Sequence, residues 1–108
     1  MNWTVEPLNK AVEAELLALP ADMQARFLRV AGLLQAFGPR HVGMPYVRPL
    51  GNKLWEMRLT GRGGIGRVIY VAGSRRRLVL LHAFVKKTEK TPRRALALAE
   101  ARLKELKP

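Results

Sequence analysis

The sequence predicts an α+β domain: an N-terminal helical hairpin packed on a small, mainly antiparallel sheet, with a C-terminal helix. Two changes of hydrophobic period carry that reading. Residues 8–37 repeat their apolar positions at helical spacing, and residues 53–85 alternate at a period of two. A return to helical spacing after Pro92 supplies the last element. With 108 residues there is room for one domain, 1–108, and not for two.

The elements follow in order. Trp3-Thr4-Val5 is aromatic and β-branched and reads as an opening strand. Asn9 is placed to cap a first helix, whose Val12, Leu16 and Leu19 fall on one face. Pro20 breaks that helix and suits the first turn of a second. Met23, Phe27, Val30 and Leu34 continue the stripe to Gly38-Pro39, a helix stop. Residues 38–52 hold three prolines and three glycines and read as a connector. Then Lys53–Thr60, Ile65–Val71 and Leu78–Val85 form three strands, joined by turns at Gly61–Gly64 and Gly73-Ser74. Thr91 is expected to cap the last helix, with Pro92 at its first position and Leu96, Ala99, Leu103 and Leu106 as its apolar stripe. Helices lying on one face of the sheet are the expected arrangement.

Charge is the strongest functional signal. Twenty Lys and Arg against eight Asp and Glu give a net +12. Residues 1–54 carry six basic and four acidic residues, and residues 55–108 carry fourteen and four, so the halves differ as +2 and +10. An extended polyanion rewards such asymmetry, because every neutralised phosphate releases counterions. Nucleic acid or the ribosome is therefore the expected partner. The competing reading is a basic surface that meets an acidic protein. No cysteine is present, which removes disulfides, thiolate metal sites and a cysteine nucleophile. The opening residues do not resemble a signal peptide and no apolar run is long enough for a membrane span, so a cytoplasmic chain is expected.

Individual motifs sort by context. Gly61–Gly66 matches G-x-G-x-x-G, but a strand follows where a dinucleotide site needs a helix, so it reads as a hairpin loop. Arg58 alternates with Trp55, Met57 and Leu59, which places it with Glu56 on the open side of the sheet if the apolar side packs on the helices. Arg67 opens the next strand across a short turn, so the two guanidinium groups are expected to converge. Arginine grips phosphate with a planar, permanently charged fork. The plainer alternative pairs Arg58 with Glu56 or solvent. From Phe84 to Arg94, five of eleven residues are basic: Lys86, Lys87, Lys90, Arg93 and Arg94. Arg93 and Arg94 fall in the first turn of the last helix, against the dipole, which suggests a nearby anion. Arg75-Arg76-Arg77 reads as a solvated turn. His82 and Tyr70 are candidate acid–base groups, although a lone histidine in an apolar strand reads first as a hydrogen-bonded core residue, and Tyr70 also suits packing. His41 lies in the connector. The two histidines have no acidic cluster beside them, so no metal site is expected.

Taken together, Pro49–Leu59, Gly66–Tyr70 and Leu80–Pro92 resemble the phage-derived toxins of the RelE/HigB superfamily. The resemblance covers nearly the full chain and is most specific in its last segment. It implies a RelE-like fold with a basic concave face that enters the ribosomal A site, and a metal-independent endoribonuclease that cuts mRNA there. The RNA 2′-hydroxyl would attack the adjacent phosphate, leaving a cyclic phosphate and a 5′-hydroxyl, with no cofactor. It also implies a cognate antitoxin, of helix-turn-helix type. On this reading Arg67 clamps the phosphate, Arg58 orients it, and Lys86 and Lys87 supply positive charge or protonate the leaving oxygen. Lys53, Arg62, Lys90, Arg93 and Arg94 are the further positions expected to meet RNA. Glu56 departs from relatives with a basic residue there, and the C-terminal tyrosine of some relatives has no counterpart. A non-catalytic RNA- or ribosome-binding module and a gyrase inhibitor on the same fold are the rival readings.

Overall fold

A computed structural model describes residues 2–43, 46–86 and 91–106. The chain runs β1 (Thr4–Pro7), α1 (Lys10–Leu17), α2 (Ala21–Phe37), β2 (Val47–Gly51), β3 (Leu54–Gly61), β4 (Gly64–Ala72), β5 (Arg77–Lys86) and α3 (Arg93–Leu103). The sheet order is β1-β5-β4-β3-β2, antiparallel except where β1 runs parallel to β5. Among the described residues no helix is long and apolar enough to cross a membrane.

The helical hairpin forms as its sequence requires. Asn9 Oδ1 accepts the Val12 N–H at 3.0 Å and caps α1. The Gln24 side-chain amide donates to the Leu17 and Leu19 carbonyls, so α2 closes the open end of α1. Val12, Leu19, Met23, Val30 and Leu34 pack against Met57, Leu59, Val68, Tyr70, Leu78 and Leu80 on one sheet face. Gly38 ends α2 at φ 81°, ψ 165°, a region essentially confined to glycine. A Cβ there would meet Trp3 Nε1 at 2.7 Å. Gly38→Ala is therefore expected to lower stability by about 1–3 kcal/mol from the backbone alone, and to displace the Trp3 indole. Urea unfolding followed by tryptophan emission measures both.

Three expectations need correction. The connector holds a strand: β2 pairs with β3 from Val47↔Met57 to Gly51↔Leu54. Asn52 and Lys53, both at positive φ, make the tight turn between them. Pro49 is tolerated because β2 is an edge strand. Secondly, the helices do not share one sheet face. α3 covers the opposite side, where Ala95 and Ala99 pack on Leu54, Ile69, Val71, Val79 and Leu81. The strands are apolar on both faces there, and the register shift in β5 between Leu80 and His82 adjusts the alternation. Thirdly, Thr91 does not cap α3; Pro92 occupies the cap position and makes no side-chain bond.

β1 ends at Pro7, so β5 presents an edge from Leu81 onward, and Glu15 closes it. Its Oε1 accepts the Ala83 N–H at 3.1 Å and lies 2.9 Å from His82 Nδ1. Arg102 of α3 grips both Glu15 oxygens at 2.9 Å and donates to the Leu81 carbonyl. One carboxylate thus ties α1, β5 and α3 together. Burial works to raise its pKa, but the bonds from Arg102, His82 and Ala83 outweigh that, and the net effect is a lowered pKa. A lowered folded-state pKa stabilises the fold above the ordinary glutamate range, and the contribution disappears as pH falls through the folded value. Glu15→Gln should cost about 1–3 kcal/mol at neutral pH, and the difference from wild type should shrink as melts are repeated at progressively more acidic pH.

Candidate nucleic-acid interface

Pairing of β3 with β4 sets Arg58 directly opposite Arg67, and pairing of β4 with β5 sets Arg67 opposite Phe84. The row sits on the α3 side of the sheet, since Arg58 shares its strand face with Leu54 and Glu56, and Arg67 with Ile69. Two positions along β5 from Phe84, Lys86 closes the strand opposite Ile65.

The environments of the two arginines differ. Arg58 is partly exposed on the sheet surface. Arg67 is 0% exposed, as is Glu56. Arg67 Nη1 donates to Glu56 Oε1 at 3.2 Å and to Thr91 Oγ1 at 3.1 Å. The Thr91 hydroxyl donates to Glu56 Oε2 at 2.5 Å. Arg48 of β2, with its side chain 32% exposed, donates to Glu56 Oε1 at 3.2 Å and reaches Thr91 Oγ1 at 3.5 Å. A single carboxylate therefore organises two guanidinium groups and a hydroxyl in the interior. In the strand register Arg58 and Arg67 are direct cross-strand neighbours. The expected open phosphate clamp at Arg67 is corrected, because burial against Glu56 and Thr91 leaves its guanidinium no surface in this conformation.

The remaining basic positions divide between the two ends of the sheet. Lys86 and Arg94 border a groove of about 330 Å³ between β5 and α3, floored by His82 and Phe84. Those two rings stack at 4.9 Å. Arg93 and Arg94 are exposed on the first turn of α3. Arg62 lies at the β3–β4 turn, at the same end as Lys86, and its backbone N–H donates to Asp22 Oδ2 at 2.9 Å. Lys53 does not join them: it sits in the β2–β3 turn at the far end of β3. Lys87 and Lys90 lie outside the described residues.

Neither acid–base candidate faces this surface freely. Tyr70 is buried in the core against the helical hairpin, on the face opposite the arginines. Burial pushes its phenol well above the ordinary range. A proton-transfer role for Tyr70 is therefore corrected. His82 contributes its ring to the groove, while its Nδ1 is engaged by Glu15. Among the described residues no group of three or more His, Cys, Asp or Glu is placed to hold a metal ion.

Sequence reasoning missed Arg48 and the structural role of Glu56 and Thr91. Arg48 was hidden in a stretch whose prolines and glycines read as irregular. Glu56 carried a usable signal: a lone acid between apolar positions of a strand, in a half with net charge +10, has many cations to choose from.

Residues 14–104 match the family described as Phage derived protein Gp49-like (DUF891). The archaeal RelE–RelB complex from Pyrococcus horikoshii OT3 contains a similar chain, with TM-score 0.57 and 25% identity over 83% of this chain and 100% of that one. The E. coli toxin RelE, a double mutant in the free state, superposes with TM-score 0.65 at 8% identity, over 95% of this chain and 99% of that one. A search of curated proteins gives no match. The family match spans most of the chain, and the structural matches cover 83% and 95% of it; the protein belongs to the phage-derived Gp49-like family, within the RelE-like toxin superfamily.

Proposed function

We propose that this chain is the toxin of a toxin–antitoxin pair, acting in the cytoplasm as a metal-independent endoribonuclease on mRNA in the ribosomal A site. The observation that carries the reading is the row of Arg58 and Arg67 on adjacent strands, with Lys86 ending the third strand at the same end of the sheet. The family match, the RelE fold and the +12 charge support it. The RelE–RelB complex supports an antitoxin as partner; a helix-turn-helix antitoxin is the type we propose.

In the reaction the 2′-oxygen forms a bond to the adjacent phosphorus as the bond to the 5′-oxygen breaks. The 2′-hydroxyl gives up a proton and the leaving 5′-oxygen receives one. Negative charge grows on the non-bridging oxygens, so fixed guanidinium charge favours the transition state over the ground state. Arg58, the accessible member of the pair, meets the phosphate. Lys86, together with Lys87, supplies charge or a proton at the leaving oxygen. Arg67 acts from behind: by holding Glu56 and Thr91 it fixes the residue two positions before α3. Arg62, Arg93 and Arg94 attract RNA along the same end of the sheet.

Expression of the chain without an antitoxin should halt growth, and primer extension on translated messages should find discrete cuts. Arrest of translation without cuts would identify a non-catalytic ribosome binder. Double-strand DNA breaks would identify a gyrase poison.

A further inference from the structure

At the other end of the sheet, α2 runs out beside the β4–β5 turn and encloses a pocket of about 220 Å³. Trp3 and Phe37 supply its aromatic walls, and Arg40, His41 and Arg76 its polar rim. None of these residues belongs to the surface described above: from Arg67 to Ala72 along β4 is already roughly 16 Å at ~3.3 Å per residue. From these residues we infer a second nucleic-acid contact, a subsite for one unpaired nucleotide of a single strand, its base against Trp3 and Phe37 and its phosphate at Arg40 and Arg76.

Three features support this assignment. Phe37, the last residue of α2, is 59% exposed. A large apolar ring in water beside cations is the usual makeup of a base-stacking platform. The Trp3 backbone N–H donates to the Gln35 carbonyl at 2.9 Å and anchors the main chain, and the indole fits against Gly38 so closely that a Cβ there would collide with it. The wall is thus fixed before any ligand arrives, which lowers the ordering cost of binding. Finally, Arg75 and Arg76 both adopt positive φ, a conformation that branched and long side chains disfavour. The backbone N–H of Gly73 donates to the Arg77 carbonyl at 2.7 Å and closes this turn, while Arg77 itself is committed to Glu6. The turn has the same positive-φ form as Asn52-Lys53 and sets Arg76 at the pocket. The pocket is smaller than the ~300–1,000 Å³ clefts that enclose drug-sized ligands, which suits a single base. An acidic peptide would use the cations but leave the aromatic walls without a role.

The subsite goes beyond the cleavage reading and uses different residues, so its test needs no ribosome. The Trp55→Phe variant leaves Trp3 as the sole indole. It would be titrated with a 2′-O-methyl uridine octamer, which cannot undergo 2′-hydroxyl attack, with an abasic phosphodiester octamer, and with octaglutamate. The octamer bearing bases should quench Trp3 emission to saturation and bind at least about fivefold more tightly than the abasic one. Phe37→Ala should remove that advantage and Arg40→Ala should weaken all three ligands. Because Phe37 is exposed, its truncation should leave the melting temperature unchanged within a few degrees. Arg58→Ala should leave the Trp3 response intact. Equal binding of based and abasic octamers, equal quenching by octaglutamate, or a Trp3 signal insensitive to Phe37→Ala would each overturn the subsite.

Discussion

Glu56→Ala is expected to be the most destabilising single change away from the apolar core. The carboxylate accepts from Arg67, Arg48 and Thr91, and both it and Arg67 are wholly buried. Removing it leaves a fixed guanidinium in a low-dielectric interior with its counter-charge gone. Breaking a buried pair in this way typically costs about 3–5 kcal/mol, a large share of the ~5–15 kcal/mol that holds a domain folded. At about 4–8 °C per kcal/mol for a chain near this size, thermal melting reads the effect easily. The companion double variant, Glu56→Gln with Arg67→Met, separates the penalty of a stranded charge from the worth of the pair. It should recover most of the loss, since an apolar replacement of similar volume needs no counter-ion. A double variant as unstable as Glu56→Ala would show that the cluster matters through packing rather than charge.

Arg58→Ala is expected to act on rate and not on folding. Arg58 is partly exposed, and its backbone N–H donates to the Tyr46 carbonyl whatever its side chain. A single donor aimed at developing phosphate charge is worth about 10²–10³ in rate, so single-turnover cleavage on programmed ribosomes should slow by that factor while the melting temperature moves by a few degrees at most. Lys86→Ala should likewise slow cleavage more than it weakens binding, because its charge is used where the leaving group departs. Arg93→Glu with Arg94→Glu, on the exposed first turn of α3, should show the opposite pattern: weaker binding, and a slightly more stable free protein, since acids suit a helix N-terminus. Equal losses of rate and affinity in all of these variants would reduce the surface to an undifferentiated basic patch.

The fold was legible because its signals are local. Asn9 caps, Gly38 stops, and the change of period at Lys53 announces the meander without tertiary knowledge. What escaped depends on partners distant in sequence. β2 is short, carries Pro49 and owes its order to pairing with β3, so its own residues argue against it. Thr91 has the composition of a cap, yet Glu56, 35 residues away, offers its hydroxyl a charged acceptor and wins. The side of the sheet that α3 covers turns on the strands being apolar on both faces, an ambiguity that alternation in Trp55, Met57 and Leu59 alone does not resolve. For the site, the strand period and the hairpin predicted that Arg58 and Arg67 oppose one another. It did not predict that one of them would be buried, since burial of a charge depends on a partner that only the fold brings close.

The central claim, that this face cuts RNA by attack of the 2′-oxygen, is tested most directly by the chemistry of the ends it leaves. Purified protein would be added to ribosomes programmed with a defined mRNA, and the fragments recovered and their termini identified. The account predicts upstream fragments ending in a 2′,3′-cyclic phosphate and downstream fragments beginning with a 5′-hydroxyl, both strongly diminished with Arg58→Ala. Intact mRNA on stalled ribosomes, or fragments carrying 3′-hydroxyl and 5′-phosphate ends, would contradict it.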